Sequence, residues 1–560
     1  MPIYCGEKKP NRQAALAGLT VLLLVSSASA AADADLNSGS LVSTKLTPAA
    51  LEIQDAKVGR IYVDNRNIFD PDNPKEDRWL YRMVNSLHIK TRPQVIESQL
   101  LFRQGEDYSE QATEESARLL RANRFIGEAS IEPVRYEDGV VDLRVQTQDV
   151  WTLSADVSFG RQGGVNTGGF GLKEYNLLGT GTYVAAKYKS TVDRENTIFE
   201  VAKQQLFGSR YDAAAAYSNN SDGFERQLRF GKPFYSLDSR NAFGASFRAA
   251  QQTDTLYDLG DKMAQFEHDL SYHEISAGWS EGLKDDWTHR ITSGLVYDDH
   301  QFAPIPDDML QQSIVPENRR FVIPYLGFEL MEDHFETTRN FDQIQRTEDL
   351  YYGTRFSAKL GYSSAAAGST ASGFHLSSTF SNGMQAGEKG TLLFGAQLAS
   401  RVMSGNAENL LISGFANYHW QQSEKRLLYV NFDVSAGSNL DIDNQILLGG
   451  DSGLRGYPIR YQTGDSKVLF TVEQRIFTDW FPFRLFHVGA AAFFDAGRTW
   501  GDSPVGDQNL GVLRDVGIGL RLGNARSGLG RMLHIDLAFP LDGEPDIRGA
   551  QLSIEAKRSF

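Results

Sequence analysis

From Trp151 to the C-terminus, apolar and polar positions alternate with a period of two. Leu428, Val430, Phe432 and Val434 make one apolar face, while Tyr429, Asn431, Asp433 and Ser435 make the other polar. That spacing is a strand with one face toward an apolar medium and the other toward water. The dyad recurs in Phe243–Phe247, Phe356–Leu360 and Leu392–Leu398, with Gly, Asn, Asp and Ser in the turns between. Arg248 and Lys359 at intervening positions predict a wet interior. The reading is a transmembrane antiparallel β-barrel over residues 151–560. At roughly 25 residues per strand and connection it has about 16 strands. The polar stretches Pro304–Arg319 and Glu332–Asp349 read as long extracellular loops or lids.

Residues 57–149 change pattern several times, as a small α+β module does. Val58, Ile61 and Val63 predict a strand; Trp79, Leu80, Met83, Val84 and Leu87 recur at helical spacing. A second helix is expected from Pro93 to Leu101 with Thr91 as its cap, and a third after Ser109, whose hydroxyl suits an N-cap. Ala129 to Val134 and Val140 to Val145 flank the turn at Glu137, Asp138 and Gly139 and predict two strands. Residues 31–56 lack clear periodicity and read as a linker.

The N-terminal stretch alters where this architecture belongs. Lys8, Lys9 and Arg12 precede an apolar run from Ala14 to Val25, and Ala28, Ser29 and Ala30 supply a small-residue cleavage site. Residues 1–30 therefore read as a secretory signal peptide, too short in its apolar part to span a bilayer. The single cysteine, Cys5, falls inside that leader, which excludes disulfides and a thiolate metal site from the mature chain. A net charge of −15 makes nucleic acid a poor partner.

The sharpest segment runs Leu448, Gly449, Gly450, Asp451, Ser452, Gly453, Leu454, Arg455, Gly456, Tyr457, Pro458. It resembles the Arg-Gly-Phe/Tyr loop of the BamA/TamA-like bacterial surface antigen superfamily of outer-membrane assembly and secretion proteins. Thr471–Arg475, Phe493–Gly497, Gly517–Arg521, Asp536–Leu541 and Gln551–Phe560 resemble the strand segments that follow it in that family. The resemblance implies a loop folded back into the barrel, with Arg455, Gly456 and Tyr457 at its tip and Glu473 and Asp495 as acidic partners on the inner wall. A guanidinium buried there needs carboxylates, each charge-assisted bond contributing about 1.5–3 kcal/mol. Leu101–Glu106 and Glu115–Arg121 give the module a likeness to that family's periplasmic polypeptide-transport-associated (POTRA) domain. One such domain is present, and the helix at Trp79–Leu87 departs from its plain pattern.

The resemblance implies a bacterial outer-membrane location with the module in the periplasm, and insertion or translocation of polypeptides. Partners would be outer-membrane lipid, an unfolded or extended polypeptide client, and periplasmic chaperones or assembly factors. A two-partner secretion transporter with one dedicated substrate and a passive or structural channel are the alternatives. No enzymatic activity, metal or cofactor is expected. Gly450–Gly453 and Gly278–Gly282 echo serine-nucleophile strings without the surrounding elements these need. The acidic run Asp70–Asp77 reads as a solvated turn. In the closing strand, Leu552, Ile554, Ala556 and Phe560 form a lipid face and a recognition signal for barrel assembly, with Arg558 placed to reach a headgroup interface.

Overall fold

The computed structural model describes residues 47–74, 76–305, 314–339, 341, 347–482, 487–506, 510–523, 532–544, 547 and 549–557. The expected leader (1–30) lies outside the described residues, as do Arg558 and Phe560.

The module contains α1 (Pro48–Ile53), β1 (Lys57–Arg66), α2 (Trp79–Leu87), α3 (Pro93–Glu97), α4 (Glu110–Ala122), β2 (Ile126–Glu137) and β3 (Val140–Asp149). The sheet order is β1-β3-β2, with β1 parallel and β2 antiparallel to β3. Asp138 and Gly139 both take positive φ, as a two-residue hairpin turn requires. Leu51, Ile96, Leu100, Leu120, Val141, Leu143 and Val145 form the core between helices and sheet. Ser109 caps α4 by accepting the Ala112 N–H at 3.3 Å.

Two local expectations are corrected here, and a third is borne out as a helix whose direction the spacing left open. Part of the expected linker, residues 31–56, is helical: Thr47 caps α1, and Leu51 is buried in the module core. Thr91 does not cap α3, because its N–H and hydroxyl both donate to Asp149, at 2.7 and 2.9 Å. The stripe Trp79, Leu80, Met83 and Leu87 does form a helix but faces outward, and the helix instead buries Tyr81 against Ile68 and Phe69.

The barrel begins with six strands of 9 or 10 residues: β4 (Leu153–Gln162), β5 (Val165–Glu174), β6 (Thr182–Ser190), β7 (Glu195–Lys203), β8 (Asp212–Asn220) and β9 (Gly223–Lys232). Longer strands follow: β10 (Asn241–Asp258), β11 (Asp261–Lys284), β12 (Trp287–Pro304) and β13 (Arg319–Glu332). A hairpin, β14 (Phe335–Arg339) and β15 (Thr347–Tyr351), leaves the wall. The wall resumes with β16 (Arg355–Ser363), β17 (Gly373–Gln385), β18 (Gly390–Met403), β19 (Asn406–Ser423) and β20 (Arg426–Ser438). A second small hairpin, β21 (Ile446–Leu448) and β22 (Gln462–Gly464), precedes β23 (Ser466–Phe477), β24 (His487–Trp500), β25 (Leu513–Gly523), β26 (Met532–Pro540) and β27 (Gln551–Lys557).

Excluding the two hairpins, 20 strands close into one antiparallel barrel, not the expected 16. The estimate failed because β4–β9 are short and their turns tight, so far fewer residues serve each strand there. The segment Glu332–Asp349 is also not an extracellular lid. It carries the β14–β15 hairpin on the side of the module, where Asp333 and Asp349 meet Arg118 and Arg121.

The alternation holds in the wall. Phe170, Leu172, Leu326, Phe432, Ile518 and Leu520 are exposed on the outside, whereas Tyr429, Asn431, Glu473, Asp515 and Asp536 are buried inside. No helix among the described residues is long and apolar enough to cross a membrane. In β27, Leu552 is exposed while Gln551 and Ser553 are buried, which puts the expected apolar face outward. Among the described residues β27 meets β4 at one register position, Ile554 opposite Arg161. By contrast β26 and β27 pair along seven positions. Among the described residues, therefore, the closing pair, the seam of the barrel, carries less ladder than its neighbour.

Candidate functional site

Between β20 and β23 the chain folds inward, and residues 449–461 hang from the β21–β22 hairpin. Local hydrogen bonds set this shape: Gly449 N–H donates to Ser452 Oγ at 2.8 Å, and Gly450 N–H to the Pro458 carbonyl at 2.9 Å. Leu448, Leu454, Tyr457 and Tyr461 pack on Leu469 and Leu513 of the wall. Gly456 passes so close to β25 that a Cβ there would lie 2.6 Å from the Asp515 Cβ and 3.0 Å from Pro540 N.

At the tip, Arg455 is buried against four neighbouring strands. Its Nε and Nη2 donate to the two oxygens of Asp495 at 2.7 and 3.0 Å, a bidentate fork. Its Nη1 donates to Glu473 at 2.8 Å and to Asp536 at 3.2 Å. The guanidinium carbon stands 3.3 Å from the centroid of the Phe493 ring. Glu473 also accepts from Arg475 Nε at 2.9 Å and from Arg521 Nη2 at 2.9 Å, and Arg521 donates to Asp536 at 2.5 Å.

The wall alone is electrostatically incomplete. Asp495 on β24 lies directly opposite Asp515 on β25, and two carboxyl groups this close resist being ionised together, which opposes sheet formation. Glu473, Asp495, Asp515 and Asp536 outnumber Arg475 and Arg521. The loop supplies the missing positive group through Arg455, and the Gly456 N–H donates to Asp515 at 3.0 Å. Burying such charges is costly unless they are paired and hydrogen-bonded, so the occupied socket is strongly preferred over the empty one.

The loop also touches both flanks of the seam. On one side the Tyr457 hydroxyl donates to the Arg514 carbonyl at 2.7 Å and accepts from Asp542 N–H at 3.3 Å, beside the β26–β27 connection. On the other, Gly163 in the β4–β5 turn lies so close that a Cβ would sit 2.0 Å from Ile459 N. Further tethers reach round the wall. Arg460 forks onto Asp193 at 2.7 and 2.7 Å, Asp443 onto Arg319 at 3.0 and 2.6 Å, and Asp441 onto Arg401 at 2.9 and 2.5 Å.

Opposite this loop, the module is fastened to successive barrel turns. Asn176 donates to Thr91 Oγ1 at 2.8 Å, Arg210 to the Ser98 and Leu100 carbonyls at 2.8 Å each, and Arg121 forks onto Asp349 at 2.8 and 2.5 Å. Glu115 accepts the Leu237 N–H at 2.8 Å. Burial raises the Glu115 carboxyl above its usual range, although the Leu237 N–H and Gln111 pull the other way.

The structure thus brings Arg455, Gly456, Tyr457, Glu473 and Asp495 together. Leu552 and Ile554 lie apart from them, on the seam strand. Sequence reasoning quoted Arg475, Phe493, Arg521 and Asp536 without assigning them a role, and passed over Asp515. Their signal was a polar or aromatic residue at the inward step of a period-two segment. The two serine strings hold structural hydroxyls: Ser280 donates to the His289 carbonyl at 2.7 Å, and Ser452 accepts from Gly449. No cluster of potential metal ligands occurs among the described residues.

No family model matches the chain, and no curated protein is significantly similar to it. Among solved structures it is similar to BamA of Haemophilus ducreyi lacking POTRA domains 1–3, at 13% identity over 88% of this chain and 83% of that one, TM-score 0.37. It is also similar to CdiB of Acinetobacter baumannii, at 11% identity over 90% and 74%, TM-score 0.43. CdiB of Escherichia coli gives 13% identity over 90% and 76%, TM-score 0.47. All three overlaps are loose, and the functional reading rests on this chain's own residues.

Proposed function

We propose that this chain is a bacterial outer-membrane protein that inserts or translocates polypeptides, with its module in the periplasm and no covalent chemistry of its own. One observation carries the reading: a loop locked by Arg455 spans the two flanks of the β27–β4 closure, tied to the β26–β27 side through Tyr457 and to the β4–β5 turn at Gly163. In a passive channel the loop would only narrow the lumen. In a protein that opens on demand it serves as a lock, because release of one buried arginine frees the first hairpin and the last strands together.

In this mechanism an extended client adds to an exposed strand edge of the module through main-chain hydrogen bonds. It then reaches the seam between β27 and β4, which parts to accept it as an added strand. Binding and folding of the client drive the cycle. A two-partner secretion transporter uses the same parts for one dedicated substrate.

The test has two arms. Depleting the protein from its host and comparing the outer-membrane and secreted proteomes should reveal the client as a lost band; no change in either fraction defeats the reading. In a Cys5→Ser background, Arg161→Cys with Ile554→Cys places two thiols at a paired position of the seam. Their disulfide should block export or insertion of that client, and reductant should restore it. Full activity with the seam oxidised overturns the seam route.

A further inference from the structure

We propose that α2 is a membrane anchor, whose outward apolar face rests in the lipid interface of the module-side leaflet beside the seam. The proposal rests on the barrel being membrane-embedded and goes beyond the handling of polypeptides.

On α2, residues 79, 83 and 87 follow one another a turn apart, and residue 80 lies beside them. Trp79, Leu80, Met83 and Leu87 therefore form one continuous arc. Trp79 is 71% and Leu87 65% exposed, in a helix whose opposite side is well packed. There Tyr81 stacks on Phe69 at 4.4 Å, and Val84 and Trp151 pack on the same cluster. Trp151 stands just before β4, so α2 is fixed beneath the first strand of the barrel. The chain after α2 is fastened as well: His88 bonds Asp149 at 3.0 Å, and the Arg92 N–H donates to the Gly179 carbonyl at 2.9 Å.

That carbonyl belongs to the β5–β6 turn, Leu177-Leu178-Gly179-Thr180, which has a near copy in the β7–β8 turn, Leu206-Phe207-Gly208-Ser209. Both turns hold their second apolar residue in the left-handed region, Leu178 at φ 53° and Phe207 at φ 52°. Bulky residues rarely adopt that conformation without a reason. In both turns it thrusts the side chain away from the protein, and Phe207 is 99% exposed. Directly above, Leu153, Phe170 and Leu172 begin the apolar outer wall. The helix face and both turn tips thus continue a surface already suited to lipid.

Charge selects the same occupant. The chain is acidic overall, yet Arg78, Lys90 and Arg92 lie exposed along α2 and the segment after it, beside Arg82, which pairs with Asp77. Basic residues beside an apolar, Trp-bearing helix face favour an interface rich in anionic headgroups. A peptide client or a second copy of the chain offers no comparable reason for the strained tips.

The test uses the full chain in a Cys5→Ser background, reconstituted in phosphatidylethanolamine–phosphatidylglycerol vesicles. Single environment-sensitive fluorophores are attached at Leu80→Cys, Leu87→Cys and Phe207→Cys. Asp107→Cys, beside Lys57 at the end of the module sheet away from the barrel, is the water-facing reference and Leu326→Cys reports the outer barrel wall, and Met83→Cys replaces any α2 variant that fails to fold. An interfacial helix sits about 5–10 Å into the headgroup–acyl boundary, so the three labels should shift blue and be quenched about twofold by shallow spin-labelled lipid, less by deep. The Asp107 label should stay water-like. If the Leu326 label is quenched while the α2 labels remain in water, the anchor is refuted and the barrel reading stands. Protection of the α2 labels only on adding an extended peptide, or only on self-association, also overturns it. An unquenched Leu326 label defeats the membrane reading itself.

Discussion

Arg455→Ala removes the only loop cation in a socket of four wall acids. The side chain gives up four charge-assisted hydrogen bonds and its place over Phe493. Glu473 and Asp536 keep Arg521, but Asp495 is left beside the Thr471 hydroxyl, at 2.8 Å, and the Asp515 carboxyl, neither of them cationic. Breaking a buried pair by deleting one partner costs about 3–5 kcal/mol. Here the loop can detach while the wall stays paired, so that energy should appear as loop release. At about 1.4 kcal/mol per factor of ten, the detached fraction rises by roughly two to four decades. Hydrogen exchange at 449–461 should accelerate accordingly and trypsin should cut after Arg460, while the barrel stays heat-modifiable on gels. Arg455→Lys should restore little, because an ammonium lacks the fork that spans Asp495. The charge swap Arg455→Asp with Asp495→Arg tests the pairing itself. Unchanged exchange protection in Arg455→Ala, with the barrel folded, would falsify the lock.

Three further outcomes follow from measured geometry. Gly456→Ala drives a methyl against Asp515 Cβ and Pro540 N, so loop protection should fall nearly as far as in Arg455→Ala, read by the same exchange experiment. Arg121→Glu sets a negative charge against Asp349 and should free the module from the β14–β15 hairpin, seen as new protease cleavage between module and barrel with no loss of heat-modifiability. Glu115 is raised by burial, so the native state holds its proton more tightly than the unfolded chain does. Its stabilising contribution is complete below the ordinary carboxyl value and disappears as pH rises through the raised one. Exchange protection of α4 should therefore decline with pH across that window, and Glu115→Gln should flatten the decline; an unaltered profile in Glu115→Gln refutes the assignment.

The barrel was legible in the sequence because a period of two leaves each strand residue one of two fates, as Tyr429 and Phe432 illustrate. Strand number was not, since turn length is weakly written. β4 to β9 need only short links, whereas the β20–β23 connection carries a whole lumenal loop. Arg455, Glu473 and Asp495 were legible through a glycine-rich motif and its resemblance. Asp515 was not, because its importance depends on register: only pairing of β24 with β25 sets it opposite Asp495. Thr91 looked like a cap because it stands just before a proline-led helix, yet a buried Asp149 from β3 captured it. The apolar arc of α2 was legible as a helix but not in its direction, since periodicity marks a face without saying what covers it.

Unequal strand length gives the barrel a lopsided rim. With about 3.3 Å per residue and a lean near 45°, the 24 residues of β11 rise roughly 55 Å, about twice the apolar band of such barrels. On the same basis the 10 residues of β4 rise roughly 23 Å. From Gln252 to Asp258, β10 stands clear of β9, paired only with β11. The far side of the ring is therefore a parapet, while the wall at β4 is low. A chain leaving by the proposed seam would emerge beside that low wall, with the high wall behind it.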